Sequence, residues 1–251
     1  MVIRTAEQRA DLIEAGRRCG IILETLAGEV RPGITTAELD ARAEELIRAG
    51  GDDPVFKGYK PEGANRPFPA ALGISVNDEV VHGIPKGRAL KEGDIVSLDL
   101  GLSHNGMIVD SAVTVSVGKT DPKSYALMDT TRLALDAAIA AAHGGGRIGD
   151  ISHATEEAFE GSGFSVVKIL GGHGVGAEVH EEPFVANVGH PGTGPEIVPG
   201  LVLALEPIAN AGRAGVHMLS DGYTFATKDG SRSAHFEHTI LIEEEGTIVI
   251  T

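Results

Sequence analysis

The chain has a single cysteine, Cys19, in 251 residues, so no intramolecular disulfide can form. That excludes a disulfide-stapled secreted module and leads us to expect a reducing, cytoplasmic compartment. Tryptophan is absent and aromatic residues make up only 4% of the chain. The core must therefore be built from Leu, Ile, Val and Ala. Positive charge is also scarce. Lys and Arg number 21 against 36 Asp and Glu, a formal net charge of −15. This argues against an extended nucleic-acid or anionic-membrane surface. No stretch approaches the roughly 18 apolar residues of a membrane helix. The N-terminal segment Met1-Val-Ile-Arg-Thr-Ala-Glu-Gln lacks the apolar core of a signal peptide. Glycine, in contrast, is plentiful at 34 residues, which favours tight turns and close backbone approaches.

The most informative stretch is Val96 to Val117. Two runs rich in β-branched residues flank Asn105-Gly106, the strongest two-residue hairpin signal. With those residues as the turn, 104 faces 107, 101 faces 110 and 99 faces 112. Asp99, Gly101 and Asp110 then share one face, and the two carboxylates become diagonal neighbours. Two carboxylates on one apolar hairpin repel each other and are costly to desolvate, so a metal ion between them is one reading. A solvated face is the other.

The rest of the chain alternates helix pairs with strands. Residues 5–28 read as an amphipathic helix with a Thr5–Gln8 capping box and a buried stripe of Leu12, Ala15, Cys19, Ile22, Leu23 and Leu26. Thr35 and Glu38 open a second helix that runs to about Gly50. Residues 52–70 read as a long irregular loop, a type that tends to carry function. Strands are expected at 73–77, 164–170, 201–205, 222–228 and 233–242. Helices are expected from Asp121-Pro122 to about His143 and from Asp150 to about Gly161. Gly144-x-Gly146-x-x-Gly149 matches a dinucleotide fingerprint formally, but it follows a helix where a strand is required. Residues 171–183 read as a glycine-rich bend. The halves 1–118 and 119–251 have similar layouts, so a single α+β domain over 1–251 is expected, with nothing requiring more than a monomer.

Asp99, Asp110, His173, Glu206 and Glu237 each sit on or beside an apolar strand or glycine-rich turn, where an unpaired charge is costly. Four carboxylates and an imidazole make an oxygen-rich site suited to Mn, Fe(II) or Co, with Zn also compatible. Four negative charges would be balanced by two ions about 3.5–4 Å apart. His82, His180 and His235 are spare groups for oxyanion stabilisation or proton transfer.

Five separated segments occur in a telling order: Asn77-Asp-Glu-Val-Val-His-Gly-Ile-Pro85; Ser97-Leu-Asp-Leu100 with Val109-Asp-Ser111; Gly172-His-Gly-Val-Gly176 with His180-Glu-Glu-Pro183; Leu205-Glu-Pro207; and Ser233-Ala-His-Phe-Glu-His-Thr239. Over nearly its whole length the chain resembles the bacterial type I methionine aminopeptidases. The resemblance implies the pita-bread fold, a pseudo-twofold antiparallel sheet flanked by helices. It implies metal ligation by Asp99, Asp110, His173, Glu206 and Glu237, with Asp110 and Glu237 bridging two ions. A metal-bridging hydroxide would attack the substrate carbonyl, with Glu206 as general base. His180 would bind substrate and stabilise the tetrahedral intermediate, and His82 would contact the scissile amide. Tyr59, Tyr223, Phe56 and Phe68 would line the methionine pocket. The implied substrates are nascent chains, met at the ribosome, that carry initiator methionine and a small second residue.

The chain departs from that pattern at four places. The 60–68 loop is longer than usual, Gly73 replaces a pocket cysteine, Val179 stands where an aromatic is common, and His235 stands where Gln is common. The competing expectations are a proline-specific pita-bread peptidase (prolidase or Xaa-Pro aminopeptidase), which usually has an extra N-terminal domain, and a non-catalytic pita-bread binding protein.

Overall fold

The computed structural model describes residues 1–251. Four helices are present: α1 (Ala6–Glu29), α2 (Thr36–Ala49), α3 (Pro122–Ala141) and α4 (Ile148–Glu157). Their caps follow from the sequence with two corrections. Thr5 Oγ1 accepts from Gln8 N at 3.1 Å, but the Gln8 side chain accepts from Arg4 N, so only half of the expected box forms. In α2 the Thr35–Glu38 box is complete. Asp121 caps α3 by accepting from Ser124 N. The fourth helix starts earlier than expected because Asp150 is its third residue; its carboxylate reaches back to Arg147 N at 2.7 Å. It also ends earlier, at Glu157.

A nine-stranded antiparallel sheet forms the centre. Its spine is the hairpin of strands Ile95–His104 and Met107–Ser116, which pair His104↔Met107, Gly101↔Asp110 and Asp99↔Ala112, the register read from the sequence. Asn105 and Gly106 both have positive φ, 49° and 81°, as a type I′ turn requires. Glu237–Glu243 pairs with the hairpin on one side and with Val202–Leu205 on the other. Val202–Leu205 in turn pairs with Gly171–Gly174.

Several expected elements change. Residues 171–174, expected in a bend, form a sheet strand; Gly172 lies against the Ala204 backbone where no side chain would fit. The expected 164–170 strand contracts to Ser165–Val166, and 222–228 contracts to Phe225–Thr227. The 233–242 strand breaks at Phe236, so Ser233–His235 pairs with Ile208–Asn210 and the rest joins the main sheet. In the 52–70 loop only Asp53–Pro54 pairs, with the hairpin's outer strand.

Two apolar cores sandwich this sheet. One packs α1 and α2 on Leu72, Ile74, Val96, Leu98 and Leu100; the other packs α3 and α4 on Leu203, Leu205, Ile240 and Ile242. Strand Val202–Leu205 serves both, sending Val202 and Ala204 to the first and Leu203 and Leu205 to the second. A strand buried on both faces must be apolar throughout, as this one is. Cys19 is core filling, its thiol facing Leu100 O. No helix is long and apolar enough to cross a membrane.

Candidate metal centre

The register assembles the site. Asp99 lies opposite Ala112, and Glu237 lies opposite Ala112 on its other side. Directly opposed residues project to one face, so two carboxylates flank a methyl group. Thr239, Ala204 and His173 form a second such row. Asp110 enters from the hairpin, and Glu206 follows the end of strand Val202–Leu205. Asp99, Asp110, His173, Glu206 and Glu237 all line one cavity of about 340 Å³.

Neighbouring side chains hold these groups in place. Thr239 Oγ1 both accepts from Asp110 N and donates to Asp110 O. Ser111 Oγ donates to Glu237 O at 2.8 Å. His173 Nδ1–H donates to Gly174 O at 3.0 Å, which leaves its Nε2 lone pair free. Burial, reinforced by nearby His180, lowers the His173 imidazolium to about 3, so the ring is neutral at physiological pH.

The cavity has no Lys or Arg in its lining. Burial raises all four carboxylates. Asp110 moves to about 7 and Glu206 to about 8, while Asp99 and Glu237 rise well above the usual range under added repulsion from the carboxylates around them. Asp99 Oδ1, Asp110 Oδ1 and Glu237 Oε1 are buried without a hydrogen-bond partner. Orphaned acceptors of one sign call for a cation. The ligand atoms of Asp110, His173 and Glu237 lie within 4.8 Å of one another, as do those of Glu206, His235 and Glu237. Residues and spacing therefore fit divalent metal.

The four aromatics named from the sequence line the same cavity, with Pro61 of the 60–68 loop beside them. Phe68 meets Tyr223 edge to face at 5.2 Å between centroids, and Tyr223 Oη donates to Arg66 O. That bond ties the long loop to the pocket. Gly73 leaves room beside Asp99: an added Cβ would sit 3.4 Å from the carboxylate. Val179 is buried and lines neither this cavity nor its neighbour, so this departure does not shape the pocket wall.

Two histidines stand at the mouth. His180 Nδ1 shares a 2.8 Å hydrogen bond with Tyr59 Oη, and its ring lies 4.4 Å from that of His173. His82 occupies a left-handed backbone conformation, φ 57°, before Gly83, which packs against the Ile74 backbone. Burial and the neighbouring histidines lower the His82 imidazolium to about 4. Sequence reasoning missed a second cavity, which shares His82, His173, His180 and Glu206 with the first. Val81, Ile169, Leu170 and Phe184 line it, and Ile169 and Phe184 are 66% and 50% exposed. The sequence carries no signal for it, because these side chains come together only in the folded chain.

Similar proteins carry the same architecture. The chain is 42% identical to methionine aminopeptidase 1 of Bacillus subtilis over 251 residues, covering 100% of this chain and 99% of that one. It is 44% identical to the methionine aminopeptidase of Clostridium perfringens, again over 100% of this chain and 99% of the relative. The crystal structure of the Thermotoga maritima methionine aminopeptidase matches with a TM-score of 0.95 at 40% identity, covering 100% of this chain and 99% of that one. A prolidase from Pyrococcus furiosus, 22% identical, shares the fold with a TM-score of 0.76, and the match covers 65% of its length. The model of metallopeptidase family M24 matches residues 10–244. With that match spanning the cavity and both cores, the chain belongs to metallopeptidase family M24.

Proposed function

We propose that the protein removes N-terminal methionine from peptides with a small second residue, initiator methionine on nascent chains above all. The observation that supports this best is a partner-less carboxylate cluster forming one wall of a pocket whose other wall is aromatic. Phe56, Tyr59, Phe68 and Tyr223 suit a flexible thioether, since sulfur packs favourably against ring edges. Asp99, Asp110, His173, Glu206 and Glu237 would hold two divalent ions, with Mn, Fe(II), Co and Zn all compatible with the donor set. Bound metal supplies Lewis acidity and a water of lowered pKa.

The protein's own residues do the rest. Glu206, ionised once the centre is loaded, takes a proton from the attacking water and returns it to the leaving nitrogen. When Tyr59 donates to His180 Nδ1, the His180 proton stays on Nε2, ready to stabilise the developing oxyanion. His82, neutral at physiological pH, contacts the scissile amide. The chain beyond the scissile bond leaves through the second cavity, past Ile169 and Phe184. One domain over 1–251, acting as a monomer in the cytoplasm, completes this reading.

The test is a mass-spectrometric assay of Met-Ala-x, Met-Lys-x, Leu-Ala-x and x-Pro-x peptides with Mn(II), Co(II) or Fe(II), and with chelator. Metal-dependent loss of Met from Met-Ala-x alone is expected. Cleavage of x-Pro-x instead would move the protein to the proline-specific branch. Cleavage of none would favour a non-catalytic role.

A further inference from the structure

His235 ends strand Ser233–His235, two residues before Glu237. Its side chain is 2% exposed, yet neither ring nitrogen has a hydrogen-bond partner. Nε2 stands 3.3 Å from Glu206 Oε2 and 3.5 Å from Glu237 Oε2. Both separations exceed the usual 2.7–3.2 Å of an N–H···O bond, and neither has hydrogen-bond geometry. If Nε2 carries a lone pair instead, three acceptor atoms face one another in a buried space, an arrangement that needs a proton or a metal ion held among them.

Ligands bound at about 2.0–2.2 Å with tetrahedral angles stand roughly 3.3–3.6 Å apart. The two His235 separations have that spacing. His173 provides the comparison. It groups with Asp110 and Glu237, whereas His235 groups with Glu206 and Glu237. Glu237 is common to both sets.

Resting on the metal-centre reading above, we infer that His235 is a direct metal ligand through Nε2, so that the centre has two imidazole donors, His173 and His235. A nitrogen added to an otherwise carboxylate-rich set moves its preference away from Mn(II) and toward Co(II) and Zn(II).

Proton NMR of the Co(II)-loaded protein tests this directly. A ligating imidazole gives an exchangeable N–H resonance shifted far outside the normal range, identifiable by 15N-histidine labelling. Wild type should show two such resonances and His235→Gln one. His235→Asn serves the same purpose if the Gln variant does not fold. One resonance in wild type would overturn the role of His235 and leave the metal centre standing. Two resonances in both proteins would assign the second imidazole elsewhere and overturn it too. None in wild type would overturn the metal reading itself.

Discussion

Thr239 and Asp110 are joined twice: the Thr239 hydroxyl accepts from Asp110 N at 2.9 Å and donates to Asp110 O at 2.8 Å. The Asp110 backbone faces the Glu237 strand where the ladder is short of regular partners, and one hydroxyl satisfies both of its polar groups. Thr239 is fully buried. Thr239→Val keeps the shape and removes both bonds. Leaving buried backbone groups unpaired costs about 1–3 kcal/mol each. The variant should melt several degrees below wild type in chelator and bind Mn(II) more weakly. An unchanged melting temperature and affinity would show that Asp110 is held by other means.

The pH dependence of metal-free stability has a definite sign. Asp110 and Glu206 are raised by burial to about 7 and about 8, so folding stability is lost as pH climbs from their unfolded values, near 4, through those folded values. The buried histidines act oppositely. His173 and His235, lowered to about 3, cost stability only as pH falls below about 6.5. Between pH 6.5 and 8 the unfolded histidines lose only their remaining protons and the carboxylates dominate. Scanning fluorimetry in chelator should show a falling melting temperature over that window, on the order of 1–2 kcal/mol. Saturating Mn(II), which needs the ionised carboxylates, should stabilise more at pH 8 than at pH 6.5. A melting temperature in chelator that rises over the same window would contradict this.

Tyr59→Phe keeps the pocket wall and removes the hydrogen bond to His180 Nδ1. The imidazole is then free to take the wrong tautomer or orientation. On Met-Ala peptides kcat should fall on the order of tenfold, with a smaller change in KM. Unchanged kcat would mean that Tyr59 positions nothing and serves only as a pocket wall.

Phe184 is half exposed, so Phe184→Ser should alter stability by no more than about 0.5 kcal/mol. It should raise KM several-fold for peptides of four or more residues and leave the dipeptide amide Met-Ala unaffected. Equal effects on both substrates would mean that the longer chain does not pass through the second cavity.

Much of the fold and the site is legible in the sequence. The Asn105-Gly106 turn fixes the hairpin register, and register alone sets Asp99 and Asp110 on one face, because side chains alternate strictly along a strand. Helix limits are readable where the N-cap residue itself supplies a capping side chain, as at Thr35 and Asp121, and less so at α4, where Arg147 occupies the N-cap and only Asp150 reaches back from inside the helix. Non-local packing is not readable. The close approach of Ala204 turns Gly171–Gly174 into a strand, and the break at Phe236 divides a run of continuous β pattern between two sheets. The same limit hides the second cavity, since Val81, Leu170 and Phe184 meet only through tertiary contact. The proximity of His235 to Glu237 is visible as spacing, whereas its simultaneous approach to Glu206 is not.

Everything proposed for this site depends on the unpaired carboxylate cluster being a divalent-metal centre. Anomalous diffraction from crystals soaked in MnCl2 tests that most directly. Two peaks are expected about 3.5–4 Å apart among Asp99, Asp110, His173, Glu206 and Glu237, with Asp110 and Glu237 touching both. A cluster that remains free of anomalous density at saturating Mn(II), with peaks only on the protein surface, would contradict it.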